Sequence, residues 1–381
     1  MNTAWKWVLF EDAVEICDSL RKPINSKDRA KRIDGKSLRD LYPYYGATGQ
    51  VGYIDDYITD GEYVLLGEDG APFLNPFASK AYLINGKTWV NNHAHVLRSK
   101  GDNRFLCYYL NSFNYKGYVS GTTRLKLTQA QMRSIQVPVP SIEEQRRIVS
   151  RIEELFSELD NSVSTLQKTK EQLAVYRQAV LKEAFSITDK YVPLGKISIS
   201  RLGKMLDKEK NIGIPHLYLR NINVRWFSFD LNDLLEMKIE DEEYDKYSIF
   251  EGDLVICEGG EPGRCAVWKE KESIFYQKAL HRVRFIDGSI PEFYMYYLWF
   301  AAKTGALNPY FTGTGIKHLT GQSLIKVPVP SVDPDVQKGI VSEIESRLSV
   351  CDSIEQTVDI ALQQAEAMHQ SILKQAFEGR L

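Results

Sequence analysis

The sequence predicts an α+β protein written as an internal repeat. Two globular segments are each followed by a long helix, and the two helices pair as an antiparallel coiled coil about a pseudo-twofold axis. Three observations lead there. Val137-Pro-Val-Pro-Ser141 recurs as Val327-Pro-Val-Pro-Ser331. Flanking residues recur 192 positions on: Gly121-Thr122 and Leu127-Thr128 as Gly313-Thr314 and Leu319-Thr320, Gln145 as Gln337, and Ala184-Phe185 as Ala376-Phe377. After each proline motif, apolar residues follow the 4-3 spacing of a heptad seam.

This layout divides the chain into a first globular segment at 1–141, a first helix at 142–186, a second globular segment at 187–331 and a second helix at 332–381. The first segment alternates β-type runs such as Tyr63–Leu66 with glycine turns such as Gly67-Glu-Asp-Gly70. The second does the same at Leu254–Ile256, Gly259-Gly-Glu-Pro-Gly-Arg264 and Val283–Phe285, with a helical stretch at Pro291–Ala302. Gly61-Glu-Tyr-Val-Leu-Leu66 resembles Gly252-Asp-Leu-Val-Ile-Cys257 only loosely, so the globular segments have diverged further than the helices.

Ser141-Ile-Glu-Glu144 opens the first helix as a capping box, with a hydroxyl for the free amides and a glutamate three residues on. Its seam reads Ile148, Ile152, Leu155, Leu159, Leu166, Leu173, Tyr176 and Val180. The second seam reads Ile340, Ile344, Cys351, Ile354, Val358, Ala361, Ala365, Met368 and Ile372, with Arg347 interrupting it. Pro334 stands where Glu144 would align, so the second cap is altered. At 1.5 Å per residue, about 40 residues give a rod of roughly 60 Å. That is longer than a segment of this size can cover, so the helices should bury their stripes against each other.

Composition sets the bounds. With 48 basic and 50 acidic residues the net charge is −2, so any polyanion surface must be local. The five cysteines are scattered with no CxxC pair, which argues against a zinc site and for a reduced, cytoplasmic setting. No apolar run reaches the ~18 residues of a membrane span, and Met1-Asn2-Thr3-Ala4-Trp5-Lys6 lacks the order of a secretory signal.

Several clusters suit nucleic acid. In the first segment they are the basic run with Arg21, Lys22, Lys27 and Arg29, the aromatic and hydroxyl donors Tyr44, Tyr45 and Thr48, the edge-reading Asn91, Asn92 and His93, and Thr122, Thr123, Arg124 and Lys126. In the second they are Arg201, Lys204, Arg220, Asn221, Arg225, Arg264, Lys278, His281 and Arg282, with Thr312, Thr314, Lys317 and His318 mirroring the first segment's threonine cluster. Hydroxyls and cations beside glycine suit phosphate oxygens, and amides suit base edges. Taken singly, each is an ordinary surface residue; the weight comes from the set.

Signals for catalysis are poor. Phe311-Thr-Gly-Thr-Gly315 imitates the glycine turn that holds S-adenosylmethionine, and Asn308-Pro-Tyr-Phe311 imitates an adenine-methylation motif. The two share Phe311, so they cannot be separate strand ends of one methyltransferase fold. GxxxxGK[ST] is absent. His93 and His95 alternate as strand neighbours do and face opposite ways, which argues against a shared metal. A non-catalytic chain without cofactor or metal is expected. A scaffold with protein-binding heads and an autonomous adenine methyltransferase are the alternatives.

The Gly-Thr…Leu-Thr…Val-Pro-Val-Pro-Ser junctions, with Ile142-Glu-Glu-Gln-Arg-Arg-Ile-Val149 after the first, resemble the specificity subunits of type I restriction–modification systems. Tyr44-Tyr-Gly-Ala-Thr-Gly49, Gly67-Glu-Asp-Gly-Ala71 and Asn91-Asn-His-Ala-His95 resemble one of their target recognition domains, and Gly252–Arg264 another. The resemblance implies that each segment reads half of a split target in double-stranded DNA. It implies that the helices set the gap and dock two modification subunits, which bind S-adenosylmethionine and methylate adenine. Restriction subunits would join to cleave unmethylated DNA.

Overall fold

A computed structural model describes residues 5–207 and 211–381. Met1–Ala4, part of the N-terminal stretch read above for a targeting signal, lie outside the described residues, as do Lys208–Lys210. By its contacts the chain divides into two units: residues 1–168 with 358–381, and residues 169–357.

Among the described residues unit one holds ten strands: β1 (Lys6–Leu9), β2 (Val14–Ile16), β3 (Tyr42–Gly46), β4 (Gly49–Ile54), β5 (Thr59–Asp60), β6 (Tyr63–Gly67), β7 (Ala81–Ile84), β8 (Lys87–Val90), β9 (Ala94–Ser99) and β10 (Gln136–Val139). They form an antiparallel sheet β2-β9-β6-β7, a mixed sheet β4-β3-β8-β5 with β3 and β8 parallel, and a ribbon β1-β10. Every residue of β6 is buried, and they alternate between two cores. Val64 and Leu66 pack with the helix Asn103–Ser112, whereas Tyr63 and Leu65 pack with Val90 and Val96. A strand covered on both faces reads as an unbroken apolar run rather than an alternation.

Unit two holds β11 (Tyr191–Pro193), β12 (Ser198–Leu202), β13 (Ile214–Leu219), β14 (Leu235–Ile239), β15 (Ser248–Ile249), β16 (Leu254–Cys257), β17 (Cys265–Val267), β18 (Ile274–Tyr276), β19 (Leu280–Phe285) and β20 (Pro328–Pro330). Its sheets run β12-β19-β16-β17 and β14-β13-β18-β15, with the ribbon β11-β20. Adding ten to each strand number of unit one gives this order, including the parallel pair β13-β18. Leu254 and Ile256 face one core and Val255 and Cys257 another, as in β6. The stretch read as helical at Pro291–Ala302 is a helix over Pro291–Lys303.

The long helices span Ile142–Phe185 and Pro334–Phe377. Ser141 Oγ accepts from the Glu144 amide, but the Glu144 carboxylate turns to Arg147 at 2.8 Å instead of completing the capping box. The second helix starts 192 residues after the first because Asp333 replaces Ser141 as the cap, its carboxylate accepting from the Asp335 amide. Pro334 then sits in the first turn, where its missing N–H costs nothing.

Each unit contains its own stretch of antiparallel helix pair. In unit one Phe156 lies on His369, ring centroids 4.7 Å apart, and Ile152 shares a core with Ile372 and Leu373. In unit two Arg177 bonds Asp352 and Glu355, and Arg347 bonds Glu183 at 2.8 Å. The seam differs from the sequence reading along one of its two lines. Ile148, Ile152, Leu173, Val180, Ile344, Cys351, Val358, Ala365 and Ile372 are buried, and Leu155, Leu159, Leu166 and Ile340 are half-buried. Tyr176, Ile354 and Met368 are instead exposed, at 47%, 40% and 52%. Their places are taken by Arg177, Glu355 and His369, one residue further along. An apolar count passes over these polar residues, but each has a partner across the pair: Arg177 with Glu355, and His369 with Asp160 at 3.3 Å.

Each helix ends in an aromatic socket. Phe185 packs among Phe293, Tyr297 and Phe300, and Phe377 against Phe105 and Tyr109.

Candidate nucleic-acid interface

In unit one, four loops meet at the ends of β3, β6 and β8. The turn after β6 carries Glu68 and Asp69. Its backbone is tied on one side by Glu68 N–H to the His93 carbonyl (2.8 Å) and on the other by Leu127 N–H to the Glu68 carbonyl (2.7 Å). The β3–β4 turn lies alongside: a Cβ on Gly67 would come within 3.0 Å of the Ala47 carbonyl, and one on Gly46 within 3.4 Å of the Asn91 amide. A hairpin closed by mutual Ser120–Lys126 backbone bonds completes the group.

Charges are paired within it. Arg21 and Lys126 both reach Glu68, and Arg124 (2.8 Å) and His93 (2.7 Å) both reach Asp69 Oδ1. Arg21 also pairs with Asp18 at 3.2 Å, so three permanent cations meet three carboxylates and the fixed charges balance. Glu68 and Asp69 are therefore turn residues held in ion pairs. Thr122, Thr123, Arg124, Lys126, Asn92 and Thr48 are exposed here.

Other sequence candidates in unit one serve the second sheet. Arg29 stacks on Tyr44 at 4.6 Å and donates to the Val51 carbonyl, and Lys22 lies over Trp89. Lys27 is exposed on a helix over Ser26–Ile33. Tyr45 stacks on Tyr82. Tyr44 and Asn91 are buried, which takes both side chains out of a contact surface. Asn91 spends its oxygen on the His93 amide.

Unit two builds a matching group. Leu319 N–H donates to the Glu258 carbonyl at 2.7 Å, and mutual Thr312–His318 bonds close the hairpin. A Cβ on Gly259 would sit 3.0 Å from the His318 ring. Asn221 accepts from Arg264 and donates to the Gly259 carbonyl, and Arg264 also holds Glu261 at 3.0 Å. Thr314, Lys317, His318, Arg225, Arg201 and Lys278 are exposed, with Arg225 3.7 Å from Asp230. Arg220 is folded onto Asp233.

Three candidates of unit two are interior. Lys204 is buried on Glu243, Arg282 on the carbonyls of Asp245 and Ser248, and His281 has no exposed surface. Sheet β12-β19-β16-β17 and the elements packed on it cover them, and each side chain finds an internal partner, as buried polar groups must.

His281 and His95 are the residues that sequence reading misplaced or missed. His95 Nε2 meets the Leu127 carbonyl at 3.2 Å, and His281 Nε2 meets that of Leu319 at 2.9 Å. Each imidazole thus holds the segment leading out of its hairpin. The fixed offset conceals the pair, because His95 and His281 are 186 residues apart whereas Leu127 and Leu319 are 192 apart. Their surroundings differ. His95 Nδ1 reaches Asp18 at 2.8 Å, whereas His281 Nδ1 is buried without a partner. Burial alone would raise Asp18, but its bond to and charge against His95, the Val96 amide and Arg21 together outweigh that and hold the carboxyl below its ordinary value. Burial pushes His281 below the ordinary imidazole value, and the Leu319 carbonyl only partly offsets this. His93 and His95 do face opposite ways: His93 is partly exposed on Asp69 and His95 is fully buried on Asp18.

Phe311–Gly315 enters the unit-two hairpin and not a helix. Among the described residues, no group of three or more His, Cys, Asp or Glu is placed to hold a metal, and no helix is long and apolar enough to cross a membrane.

The model of the type I restriction modification DNA specificity domain matches the chain twice, over residues 6–173 and 201–364. The chain belongs to this family. Its similarity to a putative type I restriction enzyme specificity subunit of Haemophilus influenzae is 27% identity over 96% of this chain and 93% of that one. With the EcoKI specificity subunit of Escherichia coli it is 25%, over 73% of this chain and 65% of that one. Among solved structures, the fold matches a chain described under the assembly and conformational transition of the type I R-M system, with TM-score 0.74 at 16% identity over 100% and 99% of the two chains. It also matches the HsdS subunit of Thermoanaerobacter tengcongensis, with TM-score 0.62 at 16% identity over 100% and 98%. As a type I specificity subunit the chain is a non-catalytic component of its system.

Proposed function

We propose that this specificity subunit reads an asymmetric, bipartite target in double-stranded DNA, one half with each globular segment. The observation that carries the reading is the double family match. Two specificity domains lie in one chain, with the same strand order but different exposed side chains at the equivalent loops. Thr48 and Asn92 are exposed at these loops in unit one and Arg225 and Lys278 in unit two, so the two halves of the target should differ. Two linked readers recognise split half-sites as a dimeric reader does.

The long helices, pairing as an antiparallel coiled coil, set the gap and dock two modification subunits. Those subunits carry the S-adenosylmethionine and the adenine N6 chemistry, and restriction subunits join the same complex. An open groove of about 810 Å³ on the unit-one helix pair, lined by Leu155, Leu159, Met368 and Ile372 among others, supports a docking role for that face.

The test is a head exchange read by methylation-sensitive sequencing. Replacing residues 1–141 by the equivalent segment of a related subunit, with the modification partner present, should change one half of the methylated site. A change in both halves, or methylation independent of this chain, would overturn the reading.

A further inference from the structure

The hairpins Ser120–Lys126 and Thr312–His318 have one backbone geometry although their tips share little sequence. Each is closed by two mutual backbone bonds of 2.8–3.0 Å. Each has glycine in second place at φ +96°, and a Cβ there would run into a carbonyl: that of Arg124 at 2.4 Å for Gly121, and that of Ile316 at 2.3 Å for Gly313. No other residue type fits either position.

Between the closing residues, five successive amides (121–125 and 313–317) donate to no protein acceptor among the described residues. The hydroxyls of Thr122, Thr123 and Thr314 are likewise exposed and without a protein partner. Exposed cations flank both rows, Arg124 and Lys126 in one, Lys317 in the other. A row of N–H groups without protein acceptors beside a left-handed glycine is what backbone anion sites are built from, and hydroxyls and cations beside it match phosphate oxygens.

The duplication identifies which part of DNA this is. The loops that differ between the units suit bases, which differ between two half-sites. A geometry kept in both suits what every half-site shares, the phosphodiester backbone. Resting on the DNA-reading proposal above, we propose that the two hairpins are sequence-independent phosphate anchors, and that His95 and His281 are their positioning residues.

The full-length chain is tested on a random-sequence duplex pool and on a salt series. Exchanging residues 121–125 with 313–317, segments of equal length, should leave the selected sequence unchanged in both halves. Arg124→Ala with Lys317→Ala should weaken selected and random duplexes alike and lower the salt slope by about 1.8. His281→Phe should also lower the slope, and His281→Gln, whose amide still donates to the Leu319 carbonyl, should restore it. A loop exchange that alters the selected bases would overturn the proposal, as would alanine variants that weaken only the selected site, or a slope that glutamine fails to restore. A wild-type chain that retains no duplex at all would defeat the DNA reading itself, and this proposal with it.

Discussion

The side-chain oxygen of Gln145 accepts the backbone N–H of Asp102 at 2.9 Å, while its NH2 donates to the Pro140 carbonyl at 3.0 Å. Asp102 in turn caps the helix Asn103–Ser112. One buried carboxamide therefore bolts the start of a long helix to the start of the helix beneath it. Gln337, its repeat partner, does the same with the Ile290 amide at 2.7 Å and the Val332 carbonyl at 2.9 Å. Gly101 leaves room for the bolt, because a Cβ there would lie 2.5 Å from the Gln145 oxygen.

Gln145→Ala should destabilise unit one, and Gln337→Ala unit two. Each leaves a buried N–H and a buried carbonyl unmatched, at about 1–3 kcal/mol apiece. Denaturant unfolding followed by amide exchange will show which unit loosens. Equal loosening of both units would mean that the bolts are not local.

The charges in the seam make a second prediction. Arg177 is 19% exposed and faces Asp352 and Glu355. Glu355→Lys would set like charges together and should lower the melting temperature. Replacing Arg177 and Glu355 together by leucine should change stability by no more than about 1 kcal/mol, because a partly exposed ion pair contributes little. A double variant markedly less stable than Glu355→Lys would contradict this.

Acid sensitivity should separate His281 from Asp18. His281 is held neutral by burial, so below the ordinary imidazole value the unfolded chain gains a proton that the folded chain resists. Stability from this group is present above that value and falls as pH drops beneath it. Asp18 is held low in the folded state, so its contribution persists to lower pH and is lost only through the carboxylate range. Unfolding free energies measured across these ranges should lose the upper component in His281→Gln and keep the lower one. An unchanged profile in that variant would count against the assignment.

The aromatic sockets give the last prediction. Phe185→Ala and Phe377→Ala each empty a buried site, at about 3–5 kcal/mol. Limited proteolysis should find new cleavage in unit two for the first variant and in unit one for the second.

Much of this architecture was legible in the chain. The repeat in Gln145/Gln337 and Phe185/Phe377 located both helices, and the runs at Tyr63 and Leu254 located the central strands. The seam was legible along one line only, because Arg177, Glu355 and His369 are held by cross-pair partners that no hydropathy pattern reveals. Lys204, Arg282 and His281 looked like surface donors because burial depends on sheet order, and the order β12-β19-β16-β17 is set by non-local pairing. The histidine clamps escaped because the loops between His95 and Leu127 and between His281 and Leu319 differ by six residues.

The membership of unit one carries a consequence for synthesis. Unit two is continuous in sequence, so all its parts have been synthesised once residue 357 has been added. Unit one is assembled from both sides of it and needs Ile372, Leu373, Ala376 and Phe377 to fill its core. The segment translated first is thus the one completed last. Until then the faces of Phe105 and Tyr109 that receive Phe377 stand open, a window in which a chaperone has something to hold.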